Sequence, residues 1–230
     1  MKQGYFITGT DTGVGKTLVS AALIIALRNQ GLRVSGMKPV ASGCVNNGSG
    51  FRNEDADRLL NASTADADYD IICPYRFSEP VAPHIAAKKA GINISIDHIA
   101  QCYSQLNSSS DAVVVEGTGG WQVPINEEQY MSDVAIELAL PVVIVVGGRL
   151  GCINHALLTA EGVIASGLSV AGWIFNQIDP GLQQASEVKS TLQSHMPGLL
   201  LADIPWQEKP DATAISREFV FFDVNSNRKP

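Results

Sequence analysis

An α/β fold, a mostly parallel β-sheet flanked by helices, follows from three features of the 230-residue sequence. Short runs rich in valine and isoleucine alternate with longer stretches of helical spacing, the pattern of strands buried on both faces and joined by crossover helices. Several of these runs end in glycine-rich loops, where a strand turns toward a helix. The first loop, Gly9-Thr10-Asp11-Thr12-Gly13-Val14-Gly15-Lys16-Thr17, lies between a strand-like run at 5–8 and an apolar, helix-like run at 18–27. That is the context of a phosphate-binding P-loop: glycines let backbone N–H groups close around phosphate oxygens, the helix N-terminus adds positive dipole, and Lys16 and Thr17 can serve phosphate and Mg²⁺. Five residues rather than four separate Gly9 from Gly15, and Thr10 holds the position of the usual first glycine.

The elements are expected in the following order. After the strand at 5–8, the helix at 18–27 is ended by Gly31. Residues 33–40 form a second strand with Lys38 near its end, and 41–53, rich in Gly, Ser and Asn, form a loop. Residues 55–60 have the apolar spacing of a short helix. A proline-punctuated connection at 74–83 precedes a helix at 84–90, and 97–106 is helical too. The buried strands at 111–116 and 141–146 each run into glycines, at 117–120 and 147–148. A helix at 154–166, a strand at 169–175, a helix at 183–195 and a strand at 199–202 complete the pattern. With 45% hydrophobic residues the chain can bury one sizeable core, so a single P-loop NTPase-like domain over 1–230 is expected. Ligands in such sheets bind beyond the carboxyl ends of the strands, and Lys16, Lys38, Glu116 and Asn176 all follow strand ends, which predicts that they meet in one cleft.

Charge narrows the partners. Sixteen basic and 23 acidic residues leave a net charge of −7, and there is no basic cluster beyond Lys88-Lys89 and Arg228-Lys229. This argues against a nucleic-acid or membrane surface and for a small ligand, with Lys16 and Lys38 as local cationic points in an acidic chain. Cys44, Cys73, Cys102 and Cys152 lack metal-site or disulfide-framework spacing, which fits reduced thiols and a cytoplasmic location. The run at 18–27 lacks the basic flank of a signal peptide, and Pro141 interrupts the run at 138–148, so no export signal or membrane span is expected.

Further segments carry a resemblance. Thr8-Gly9-Thr10-Asp11-Thr12, Val14-Gly15-Lys16-Thr17, Lys38-Pro39-Val40-Ala41-Ser42-Gly43, Val115-Glu116-Gly117, Leu150-Gly151-Cys152-Ile153-Asn154-His155 and Ile204-Pro205-Trp206 stand in the order and context of dethiobiotin synthetases. Over nearly its full length the chain resembles that family. The resemblance implies an ATP- and Mg²⁺-dependent cyclo-ligase, usually a homodimer, that makes dethiobiotin from 7,8-diaminopelargonate and CO₂. It implies catalytic roles for Lys16 and Lys38, and metal-side positions at Thr17, Asp55 and Glu116. It places Gly13, Val14, Gly15, Lys16, Thr17 and Leu18 on the nucleotide, with Asp55, Glu116, Gly117, Thr118 and Gly119. Asn176, Gln177, Pro205, Trp206 and Gln207 complete that site. Thr12, Lys38, Ser42, Gly119 and Asn154 fall to the substrate, Asn154 across a dimer interface.

The residues themselves leave alternatives. Glu116 ends an apolar strand, a costly place for an acid unless it faces a ligand or partner. Asp55 could supply negative charge at a helix start, Asn154 could be an N-cap, and Trp121, Trp173 and Trp206 read mostly as core. Four positions depart from the family pattern: Gly13 for glutamate, Thr118 for alanine, Gln177 for aspartate and Val188 for tyrosine. A paralogous ligase with a changed substrate, a nucleotide-dependent switch or positioning ATPase, and a GTPase reading guanine through Asn176-Gln177-Ile178-Asp179 are the competing functions. Pro180 after Asp179 favours a turn that points this acid to solvent.

Overall fold

A computed structural model of the chain describes residues 3–48, 50–64 and 66–220. The chain begins with β1 (Gln3–Gly9), α1 (Lys16–Asn29) and β2 (Val34–Met37). Three two-residue strands follow, β3 (Val40–Ala41), β4 (Val45–Asn46) and β5 (Phe51–Arg52). Next come α2 (Glu54–Ala62), α3 (Tyr69–Ile72), β6 (Tyr75–Arg76), α4 (Pro83–Ala90) and α5 (Ile96–Ser109). The remainder is β7 (Ala112–Glu116), α6 (Met131–Glu137), β8 (Val142–Gly148) and α7 (Cys152–Ala165), then β9 (Val170–Gln177), α8 (Ala185–His195), β10 (Leu200–Ile204) and α9 (Ala212–Ile215).

Six strands form one parallel sheet in the order β10-β9-β8-β1-β7-β2. From β1 the chain crosses to β2 at one edge, and the strands after β7 extend the sheet on the other side, so the crevice for a ligand opens at the carboxyl end of β1. Every residue of β7 and β8 is buried, which explains why these strands read as unbroken apolar runs rather than as alternation. Successive side chains still point to opposite faces. Phe6, Val113 and Val115 join one core layer, with Ile99, Leu106, Val134 and Trp173. Ile7, Val114, Val143 and Val145 join the other, with Val19, Leu23, Ile24 and Leu27 of α1.

The strand expected at 33–40 stops at Met37. Pro39 has no N–H to continue the ladder, and the Lys38 N–H turns away to the carbonyl of Ile72 at 2.8 Å. The chain resumes as β3, which pairs with β6 instead. The loop expected at 41–53 contains the last residue of β3 and the antiparallel β4–β5 pair. α7 starts at Cys152, two residues before the expected start, and is capped by Gly151 at φ +89°, so Asn154 is an exposed residue of the first turn and not the N-cap. Glu116 and Asn176 lie within the last residues of β7 and β9 rather than after them. The tail pair Arg228-Lys229 lies outside the described residues. No helix among the described residues is long and apolar enough to cross a membrane, and the four cysteines are free and buried.

Gly36 shows how tightly β2 is held in the layer that leads to Lys38. A Cβ there would lie 2.8 Å from both Ile24 Cδ1 and Leu59 Cβ, and 3.3 Å from the Leu59 carbonyl. Gly36→Ala is therefore expected to destabilise the protein by about 1–3 kcal/mol through overpacking. Urea unfolding should show a lower midpoint with an unchanged slope.

Candidate active site

The P-loop turns into α1 at Gly15, whose φ of +91° only glycine adopts readily. Space demands glycine there as well, because a Cβ would lie 2.2 Å from Asn176 Nδ2. That amide donates to the Val14 carbonyl at 2.8 Å and ties the end of β9 to the loop. No side chain caps the first turn of α1, which leaves its N–H groups turned toward the cleft. Lys16 is only 7% exposed and donates to the Asp11 carbonyl at 2.9 Å. Burial, followed by the charge of Lys38, lowers its ammonium to a pKa of about 8. Asp11 accepts the Thr12 N–H at 2.7 Å and pairs with Arg149, and its carboxyl lies below the usual range chiefly through the Thr12 bond.

Two neighbouring strands bring the second lysine to an acid. Met37 of β2 pairs with Val115 of β7, so Lys38 and Glu116 follow at adjacent positions. Lys38, 4% exposed, donates to Glu116 Oε1 at 2.5 Å and to the Gly117 carbonyl at 3.2 Å, and its ammonium lies 3.4 Å from Asp55 Oδ2. Burial opposes its charge, but Glu116 and Asp55 outweigh that and hold the ammonium above its ordinary value. Thr17 donates to the same Glu116 oxygen at 2.9 Å. Glu116 Oε2 is buried with no hydrogen-bond partner among the described residues. Asp55 stands in the first turn of α2, but the cap is Asn53, which accepts the N–H groups of Asp55 and Ala56 at 3.1 and 3.3 Å. Burial raises the Asp55 carboxyl, but the charge of Lys38 and the hydrogen bonds from Thr17 and Lys38 together outweigh it, so it titrates below its ordinary value.

These groups line a cleft of about 510 Å³. Of the expected residues, Thr12, Gly13, Gly15, Lys16, Thr17 and Leu18 line it, with Lys38, Asp55, Glu116, Thr118 and Gly119. Asn176, Gln177, Pro205, Trp206 and Gln207 close the far wall. Val14 is buried behind the loop, and neither it nor Gly117 is on the wall. Ser42 and Asn154 are not on it either: the Ser42 hydroxyl is buried without a partner among the described residues, and Asn154 is exposed on α7. Arg58, Ile178, Ile204 and Pro210 line the cleft without having been expected. Arg58 was open to discovery, three residues beyond Asp55 and so on the same helix face.

The departures find local roles. Thr118 donates to the Val40 carbonyl at 2.5 Å, tying the glycine loop to β3. Gln177 donates to the Asp179 carbonyl at 3.2 Å, and Val188 packs against the core. Gly13, at φ +75°, has open space where a Cβ would point. Asp179 accepts the Gly181 N–H at 2.8 Å within its own turn and does not line the cleft. Trp121 and Trp173 are buried, as expected of core residues, while Trp206 is 44% exposed at the cleft wall.

A family model described as an AAA domain matches residues 3–214. The chain is 46% identical over 210 residues to the ATP-dependent dethiobiotin synthetase BioD of Xanthomonas euvesicatoria pv. vesicatoria (strain 85-10), covering 91% of this chain and 94% of the relative. It is 42% identical over 213 residues to the protein of the same name from Pseudomonas aeruginosa (strain UCBPP-PA14), covering 92% and 93%. Among solved structures, the septum site-determining protein MinD complexed with Mg-ADP from Pyrococcus horikoshii OT3 superimposes with a TM-score of 0.57 at 16% identity, over 89% of this chain and 82% of that one. A ParA family ATPase from Chlorobium tepidum TLS gives 0.54 at 15%, over 90% and 86%. The solved structures share the P-loop NTPase fold alone, whereas identity of 42–46% along nearly the whole of both chains is a family relationship: the protein belongs to the ATP-dependent dethiobiotin synthetase family.

Proposed function

We propose that the chain closes the ring of dethiobiotin from 7,8-diaminopelargonate, CO₂ and ATP, releasing ADP and phosphate. The observation that carries this reading is the second buried lysine, Lys38, aligned with the P-loop lysine on the wall of one cleft. One amine of the substrate takes up CO₂ as a carbamate, a carbamate oxygen attacks the γ-phosphorus of ATP, and the second amine then attacks the carbonyl and expels phosphate. The attacking oxygen and the triphosphate are both anionic, so the step needs cationic groups fixed before they meet. Lys38 suits the carbamate and the transferred phosphoryl group, and Lys16 suits the β- and γ-phosphates. Gly13, Gly15, Leu18, Asn176, Gln177 and Pro205 to Gln207 would enclose the rest of the nucleotide, and Thr12 and Gly119 would meet the substrate.

The donor set fits Mg²⁺, which takes oxygen ligands and tolerates few protein ones. Thr17, Asp55 and Glu116 would hold it, and the partnerless Glu116 Oε2 is the buried oxygen that such an ion would satisfy. When bound, the ion neutralises phosphate oxygens. A switch or positioning ATPase finds support in the fold alone, and the guanine-reading alternative loses its acid, since Asp179 is engaged in its own turn. Incubation with diaminopelargonate, bicarbonate, Mg²⁺ and ATP, with mass detection of dethiobiotin, tests the reading and separates it from a paralogue with another substrate.

We also read the chain as a single domain over 1–230 that works as a cytoplasmic homodimer. Leu150, 91% exposed, precedes a strip of exposed residues on α7, Asn154 and Leu158, spaced four apart as on one helix face. A second copy seated on that strip would cover the leucines and bring Asn154 to a site that it does not reach in its own chain.

Three measurements follow. Lys38→Ala should lower turnover by roughly 10²-fold or more, about 3 kcal/mol, as when an interaction made mainly in the transition state is lost, while calorimetry finds ATP affinity largely intact. Lys16→Ala should weaken both. For the unbound protein, Lys16 loses its proton above about pH 8, whereas bound phosphate favours the charged form. ATP affinity should therefore hold below that pH and fall above it by up to about tenfold per pH unit, the limit for one coupled proton, and Lys16→Arg should flatten the profile. Light scattering should report a dimer for the parent and a monomer for the Leu150→Asp, Leu158→Glu double variant.

A further inference from the structure

The one-turn helix α3 touches both sides of the Lys38–Asp55 pair. At its C-terminal end the Ile72 carbonyl accepts the backbone N–H of Lys38. At its N-terminal end the Tyr69 hydroxyl oxygen accepts the Asn53 N–H at 3.0 Å, and the hydroxyl donates back to the Asn53 carbonyl at 3.3 Å. Asn53 is the cap that sets the first turn of α2, and its amide nitrogen also donates to the Ser42 carbonyl at 3.3 Å. All of its polar groups are thus engaged, and one residue links the Ser42 loop, the helix carrying Asp55 and the α3 brace.

The brace is itself held. The Arg52 guanidinium lies 3.6 Å over the centre of the Tyr69 ring, with that of Arg76 at 5.3 Å. Arg52 pairs with Asp57 at 2.5 Å, and Arg76 pairs with Asp70. The arginine contacts fix where the phenol points. Burial pushes that phenol up to a pKa of about 12, so its hydroxyl keeps donating across the neutral range.

We propose that Tyr69, acting through Asn53, is a positioning residue that sets the Asp55 carboxylate for the metal end of the nucleotide site. This rests on the reading of Asp55 as a Mg²⁺ ligand given above. A partly exposed carboxylate on the first turn of a helix is held only as firmly as that turn, and placement errors of a fraction of an ångström matter at such sites.

Tyr69→Phe keeps the ring and its arginine contacts and removes only the hydroxyl. Calorimetric titration with ADP, with and without Mg²⁺, should show the Mg²⁺-dependent gain in affinity reduced roughly five-fold, the size of one or two lost hydrogen bonds, with metal-free ADP binding unchanged. Turnover at saturating ATP should fall by a similar factor. In an Asp55→Asn background the same substitution should change neither quantity further, because the two residues act in series. Arg52→Gln, which loosens the ring but leaves the hydroxyl, should give a smaller loss of the same kind. A full Mg²⁺ response in Tyr69→Phe, or losses that simply add to those of Asp55→Asn, would overturn the positioning role and leave the metal reading standing. An undiminished Mg²⁺ gain in Asp55→Asn would instead remove the metal reading, and the positioning proposal with it.

Discussion

The carboxyl end of the sheet is organised around an ion pair that is almost wholly withdrawn from water. Taking two charges out of water costs several kcal/mol per ion, and the mutual attraction recovers this only with close geometry and further hydrogen bonds. Lys38 has three oxygen partners, on Glu116, Gly117 and Asp55. Glu116 gives one oxygen to both Lys38 and Thr17 and leaves the other unpartnered. Such an arrangement adds little net stability but constrains position strongly, since loss of either member strands a buried charge. Strand register makes it attainable: β2 and β7 are neighbours, and the break in β2 frees Lys38 to turn from the ladder toward the acid.

Lys16 shows the opposite balance. It too is buried, but its nearest described polar contact is a carbonyl, and the charge of Lys38 opposes its own. The two lysines therefore differ in kind: one is already neutralised by acids, while the other carries a proton held loosely until an anion arrives. The rigid surroundings maintain that difference. Asn176 fixes Val14 from β9, and the Asp11–Arg149 pair joins the P-loop to the segment after β8, so the site does not relax to satisfy itself.

Much of this was legible in the sequence because buried parallel strands leave a strong signal. The valine runs located β7 and β8, and the rule that ligands sit beyond strand ends gathered Lys16, Lys38, Glu116 and Asn176 correctly. The one-turn helices α3 and α9 and the seven-residue α6 escaped notice because so few residues define no period. The end of β2 escaped because Lys38-Pro39 reads as the tail of a strand until the competing bond to Ile72 is known. Pro210 reaches the cleft only through the return of the chain after β10, a tertiary event with no local mark. Ser42 and Asn154 came from resemblance rather than from physics, and the fold of one chain places neither on the cleft wall.

The uneven burial of the three tryptophans gives the protein an optical asymmetry. Trp121 and Trp173 sit in the core, the first edge-on to Phe6 at 6.2 Å, while Trp206 stands at the rim of the cleft with nearly half its surface in water. A soluble quencher reaches that indole and not the other two, so the red-shifted, quenchable part of the emission belongs to one wall of the cleft. Whatever fills the space beside that wall reports its own arrival in the light the protein emits, with no label attached.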